Sequence, residues 1–184
     1  MILLIDGLQN SGKTTLAQHS VVPYKRFNFD FYLNSFGLND SEINGFQLGK
    51  DLGIAFALEN ELNDYILDRG PIATAYYSLK YKRWHDIKKV DQFFSCFKSY
   101  KNFAYVIIRK INGNLSQRKK NDGFDELNDD VDPSAKELFE QVIKSAKKNG
   151  LIIYEFDNDF SKGIEENQVR FDDFIKRILY CEYY

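Results

Sequence analysis

The sequence predicts a three-layer α/β domain built on a five-stranded parallel sheet. Three observations carry this. Short apolar runs alternate with segments of helical periodicity along the 184 residues. The runs do not alternate apolar with polar residues, as expected when helices cover both faces of a sheet. A glycine-bearing turn, Gly7 to Thr14, lies between the first run and the opening of a helix, where a parallel strand ends at a ligand crevice.

The elements follow in order. The first strand is Ile2 to Asp6, and the second is placed around Arg26 to Asp30. Leu48, Leu52, Ala55, Leu58 and Leu62 recur at steps of three and four and predict a helix. The third strand is Tyr65 to Asp68, and Pro71 suits the first turn of the helix after it, which carries Tyr76, Tyr77, Tyr81 and Trp84. The fourth strand is Phe103 to Ile108. Asp132-Pro133 is a cap-plus-proline start for a helix whose stripe is Leu138, Phe139, Val142 and Ile143, ended by Gly150. The fifth strand is Leu151 to Phe156, and the last helix uses Phe171, Phe174, Ile175, Ile178 and Leu179. No repeat or low-complexity tract interrupts the chain, and 184 residues suffice for a single domain over 1–184.

Composition removes several function classes. A hydrophobic content of 43 % with Phe 16 and Tyr 12 excludes a disordered polymer. A net charge of -2 with interspersed signs offers no basic block for non-specific nucleic-acid binding. Cys96 and Cys181 form no metal or redox pattern, and His19 and His85 have no ligand spacing. No apolar run nears 18 residues, and the first strand leaves no room for a secretory signal. The expectation is a soluble, cytoplasmic protein without a membrane partner. The many aromatics leave an apolar interface between two copies, a homodimer, open.

Gly7-Leu8-Gln9-Asn10-Ser11-Gly12-Lys13-Thr14 matches G-x-x-x-x-G-K-[ST], the phosphate-binding loop. Gly7 and Gly12 let the backbone wrap closely, so that the amides of Asn10 to Thr15 can form an anion nest before a helix. Lys13 is expected on the β- and γ-phosphates, and the Thr14 hydroxyl on Mg²⁺. The pattern implies ATP as the bound nucleotide.

Other candidates lie on the same side of the sheet. Asp68 closes the third strand and can bind Mg²⁺ directly or through water; Arg69 can bind a phosphate or carboxylate. Asp30, at the end of the second strand, can take a proton from an attacking hydroxyl. Asn28 shares its face, while Phe27 and Phe29 read as core. The polar stretch 114–130 reads as a lid whose Arg118, and less so Lys119 and Lys120, would neutralise the moving phosphoryl group. Arg109 is a further candidate for phosphate or acceptor contact. The helical spacing of Tyr76, Tyr77, Tyr81 and Trp84 favours ordinary core packing; of the four, Tyr76 is the best placed to line a base pocket, and Gln47 is a weaker candidate to bond a base edge.

Asp6-Gly7 with the loop, and Asp68-Arg69 followed by Ala75-Tyr76, resemble the thymidylate kinase group within the wider nucleoside and nucleotide kinases. The resemblance implies a P-loop kinase domain with a short helical lid, with Arg69 on the acceptor phosphate and Tyr76 near the base pocket. It would place the lid arginines on Arg118 and its lysine neighbours. It also implies ATP and Mg²⁺ as cofactors and a nucleotide or nucleoside as substrate. Two features depart from the family. Asp30-Phe31-Tyr32 lacks the proline that usually follows the acid, and 55–63 has no arginine to grip a monophosphate. An acid at Asp30 instead resembles kinases that phosphorylate a hydroxyl of a nucleoside, or of a nucleotide or modified base in DNA. The small size and the Tyr/Asn/Lys-rich make-up would suit a bacteriophage enzyme. The expected activity is ATP-dependent phosphorylation of a deoxynucleoside monophosphate, with hydroxyl phosphorylation through Asp30 as the alternative. A nucleotide-dependent switch is a third, less favoured class.

Overall fold

The computed structural model describes residues 1–26, 37–112 and 132–181. Its strands are β1 (Ile2–Asp6), β2 (Tyr24–Arg26), β3 (Tyr65–Asp68), β4 (Phe103–Ile111) and β5 (Ile153–Asp159). They form one parallel sheet in the order β2-β3-β1-β4-β5. The described helices are α1 (Lys13–Gln18), α2 (Asp40–Leu58), α3 (Pro71–Lys80), α4 (Ile87–Ser95), α5 (Pro133–Lys148) and α6 (Ile164–Cys181).

Strand pleating divides the core. Ile2, Leu4, Phe103, Tyr105 and Ile107 pack beneath α2, α3, α4 and α5. Leu3, Ile5, Ala104, Val106 and Ile108 face α1 and α6. Both faces are apolar, which is why β1 and β4 read as continuous hydrophobic runs. Phe171 and Ile175 of α6 are fully buried, and each contributes about 1.5–3 kcal/mol of hydrophobic stabilisation.

The helix signals act as read. Pro71 occupies the first turn of α3 and Asp132 caps α5 ahead of Pro133; α2 also carries a cap not anticipated, Asn39 in a reciprocal box with Glu42. Several boundaries differ from the expectation. β2 starts earlier, at Tyr24, and pairs Arg26 with Asp68, while 27–30 lie outside the described residues. Leu62 lies beyond α2 and is exposed, because the chain turns at Glu59 before the stripe completes another turn. α3 ends at Lys80, so Tyr81 caps it and Trp84 packs on Phe93 of α4, a helix not anticipated. β5 begins at Ile153 and runs on to Asp159, which carries Asn158 to the end of the sheet where the phosphate-binding loop lies.

Candidate active site

The loop after β1 turns on two glycines for different reasons. Gly12 sits at φ 81, in the left-handed region. A Cβ on Gly7 would lie 2.6 Å from the Ile108 carbonyl oxygen, so here close approach to β4 demands glycine. Asn10 is also left-handed, at φ 64, a conformation asparagine tolerates better than most residues. Lys13 folds back over the loop, its Nζ donating to the Leu8 carbonyl at 3.3 Å. Burial, and then the nearby Arg69, push the Lys13 pKa down to about 8.

β3 brings Asp68 to the loop. Parallel pairing sets Asp68 opposite Ile5, on the face that α1 covers. Thr14 Oγ1 donates to Asp68 Oδ2 at 2.8 Å, and the Tyr24 hydroxyl donates to the same oxygen at 3.0 Å. Arg26 Nε lies 3.9 Å from it. The other oxygen, Oδ1, is buried and unpartnered among the described residues.

Beyond Asp68 the backbone takes a left-handed turn at Arg69, φ 70. Such a conformation is costly for arginine. Here it is held from both sides: the Arg69 amide donates to the Ile5 carbonyl at 3.0 Å, and the Gly70 amide to Asp6 Oδ1 at 3.1 Å. The turn sets Arg69 in the wall of a small, open cleft between α2 and α3, lined also by Gln47, Lys50, Asp68, Thr74 and Tyr77.

Two buried carboxylates support this cleft. Asp51 pairs with Lys50 at 2.8 Å and accepts a hydrogen bond from Thr74. Asp6, fully buried at the end of β1, has its pKa pushed up to about 6, mainly by desolvation and further by Asp51; the Gly70 amide, Lys50 and Lys13 oppose the rise. Asp6 Oδ2 and Asp51 Oδ2 have no hydrogen-bond partner among the described residues.

The structure thus brings Gly7, Asn10, Ser11, Gly12, Lys13, Thr14, Asp68 and Arg69 to one end of the sheet, with Thr15 on the first turn of α1. Asp30, Arg118 and the lid region 114–130 lie outside the described residues. Arg109 does not join the site: it is tied on the surface to Glu140 and to Glu155, the latter at 2.7 Å. Tyr76 is 2 % exposed and packs edge-on against Phe139 at 5.4 Å, so it is core rather than pocket, and Tyr77 lines the cleft in its place.

Three site residues were not singled out from sequence. Lys50 and Asp51 are charges inside the apolar stripe of α2, between Leu48 and Leu52, and that interruption was their signal. Asn158 is a polar residue at the carboxyl end of a parallel strand, the position where ligands meet such sheets.

The donor set fits the groups that the loop pattern implies. The Thr14 hydroxyl and the Asp68 carboxylate are hard oxygen donors suited to Mg²⁺, and the orphaned Asp68 Oδ1 has a lone pair to offer an ion or its water. The cradle at Gly7 and Gly12, with Lys13 across it and a buried Ser11 hydroxyl that has no hydrogen-bond partner among the described residues, fits a polyphosphate. Among the described residues no group of three His, Cys, Asp or Glu side chains could hold a metal unaided, and no helix is long and apolar enough to cross a membrane.

No protein-family model and no curated protein matches the chain. Solved structures do. A thymidylate kinase from Candida albicans superposes with a TM-score of 0.60 at 19 % identity, over 95 % of this chain and 90 % of the other. The YorR protein of Bacillus subtilis, solved in complex with phosphorylated GDP, gives 0.55 at 13 % identity over 98 % of both chains. A thymidylate kinase from Ehrlichia chaffeensis gives 0.50 at 16 % identity, over 96 % of this chain and 98 % of that one. With its five-stranded parallel sheet, helices on both faces and a glycine-cradled loop after β1, this chain has the P-loop kinase fold of those thymidylate kinases.

Proposed function

We propose that the protein is an ATP- and Mg²⁺-dependent phosphotransferase whose acceptor is a deoxynucleoside monophosphate. One observation carries the reading: a cleft bearing Lys50 and Arg69 opens beside the phosphate-binding loop and shares Asp68 with it. The Arg69 guanidinium in the wall of this cleft favours an anionic acceptor, while Lys50 brings its charge there already paired with Asp51. Lys50, ion-paired with Asp51, places a positive charge at the cleft from about one turn before 55–63, the segment that lacks an arginine.

In this reading Lys13 and the loop hold the β- and γ-phosphates, while Thr14 and Asp68 hold the metal, which neutralises phosphate charge. Arg69 and Lys50 orient the acceptor so that one of its phosphate oxygens faces the γ-phosphorus. A bond forms between that oxygen and the γ-phosphorus, the bond to the β–γ bridging oxygen breaks, and ADP leaves. The protein's share is positioning and charge stabilisation. The fold of the thymidylate kinases supports this reading.

The test offers labelled ATP with nucleosides, the full set of nucleoside monophosphates, and hydroxyl-bearing DNA. Label transfer to monophosphates alone is the expected result. Transfer to nucleosides or DNA, abolished by Asp30→Asn, replaces this reading with hydroxyl phosphorylation. Absence of transfer to every acceptor, with a partner protein bound in the triphosphate state, replaces it with a switch.

A further inference from the structure

A nest binds an anion because its amides turn inward, and its carbonyls must then turn outward. An outward carbonyl that is also buried needs a donor on the far side, or it stays unsatisfied and destabilises the loop. Ser11 presents this problem. It is 2 % exposed, so solvent cannot serve its carbonyl freely. The donor is Asn158 of β5, whose Nδ2 lies 2.9 Å from the Ser11 carbonyl oxygen. Asn158 is 6 % exposed, and 147 residues separate the two in sequence.

The same amide closes the loop sterically. A Cβ on Gly12 would lie 2.4 Å from Asn158 Nδ2, so the asparagine fills the space a side chain at position 12 would need. Gly12 is therefore constrained twice, by its φ of 81 and by this contact. Asn158 in turn is held firmly. It pairs with Lys110 in the β4–β5 ladder. Just past it, Asn167 of α6 accepts from the Asp159 amide at 3.2 Å and donates to the Asp159 carbonyl at 2.7 Å. Asp159 Oδ1 also caps the following turn through the Ser161 amide at 3.0 Å.

We propose that Asn158 is a positioning residue for the phosphate-binding loop: its amide keeps the Ser11 carbonyl turned out of the nest and thereby sets the affinity for the nucleotide. This rests on the nucleotide-binding reading above. Asn158 is not expected to touch the transferred phosphoryl group, so it acts on nucleotide binding rather than on the acceptor.

The test uses the full chain with Asn158→Ala and Asn158→Asp. ATP binding is measured by calorimetry, KM for ATP and for the acceptor by steady-state kinetics, and folding by thermal melting. Asn158→Ala is expected to weaken ATP binding about tenfold and leave the acceptor KM within about twofold. Asn158→Asp keeps the size but presents no N–H. It should weaken ATP binding more than alanine does at pH 8, and, measured against the unmodified chain at the same pH, recover part of the loss toward pH 5, where a protonated carboxyl can donate again. A purely structural role would not produce that pH-dependent recovery. ATP affinity within about twofold of the unmodified chain in both folded variants overturns the inference, as does an equal loss of ATP and acceptor affinity. If neither variant melts cooperatively, Asn158 is a determinant of the fold and the inference falls. Lys13→Ala separates this outcome from failure of the underlying reading. ATP bound by the unmodified chain, lost in Lys13→Ala and retained in both variants at 158 overturns this inference alone. No ATP bound by the unmodified chain overturns the reading on which it rests.

Discussion

The Thr14 hydroxyl donates to the Asp68 carboxylate at 2.8 Å, joining the phosphate-binding loop to the end of β3 across 54 residues of sequence. The partner oxygen Asp68 Oδ1 is buried and without a protein bond among the described residues. A buried carboxylate oxygen left so is costly in the protein alone and suited to a cation shell. Asp68→Asn should therefore weaken the apparent affinity for Mg²⁺ about 10–100-fold, read from Mg²⁺ titrations of turnover at saturating ATP. An unchanged titration curve would remove Asp68 from the metal's environment.

Lys13 sets a different trade. Its pKa is lowered to about 8, mainly by burial. The folded state thus holds a cation that prefers water, and below pH 8 the lysine is charged in both states and carries the full penalty. As pH rises from 8 toward the unfolded value of 10.5, the unfolded chain binds more protons and the penalty fades. Lys13→Met should raise the melting temperature of the ligand-free protein at pH 7, and this advantage should shrink by pH 10. The same substitution should lower kcat/KM by about a hundredfold or more. Denaturation series at the two pH values, with and without ATP, check both halves.

Asp6 behaves in the opposite pH range. Its folded pKa of about 6 lies above the ordinary carboxylate value of 3.8, so the folded state binds more protons between those values. Stability therefore falls as pH rises through that window, and above it the carboxylate carries the whole penalty. Asp6→Asn keeps an acceptor for the Gly70 amide and removes the buried charge. It should stabilise the protein at pH 8 by on the order of 2 kcal/mol, with little effect near pH 4. Urea unfolding at both values measures the difference, and equal effects at the two would refute the assignment.

Arg69 provides a test of the acceptor site. Lysine at this position keeps the charge but loses the planar fork that binds a phosphate through two bonds. Arg69→Lys is expected to raise the acceptor KM about tenfold and leave the KM for ATP within about twofold. A matching rise in both would move Arg69 from the acceptor to the nucleotide.

Much of this architecture was legible because it rests on local chemistry. The apolar runs of β1 and β4, Pro71, Asp132-Pro133 and the Gly7–Thr14 pattern each state their structure within a few residues. Boundaries were read less well where a turn cut a periodic stripe, as at Leu62, and α4 was passed over although Asp86 caps it and Val90, Phe93 and Phe94 form its apolar face. Arg109 was misread because a cation at a strand end looks the same in sequence whether it meets a phosphate or, as here, Glu140 and Glu155. For Tyr76 the helical spacing favoured ordinary packing over a pocket role, and the ring is core, edge-on to Phe139.

By itself, then, the sequence determined the layered parallel fold and a loop shaped for phosphate, since strand hydrophobicity, caps and glycine requirements act over short distances. Only the tertiary structure decided which distant groups meet that loop: Asp68 on Thr14, Asn158 on Ser11, and Lys50 facing the same cleft as Arg69. Those meetings depend on the strand order β2-β3-β1-β4-β5 and on pairing register, where a shift of one residue would turn Asp68 away from α1 to the other face of the sheet.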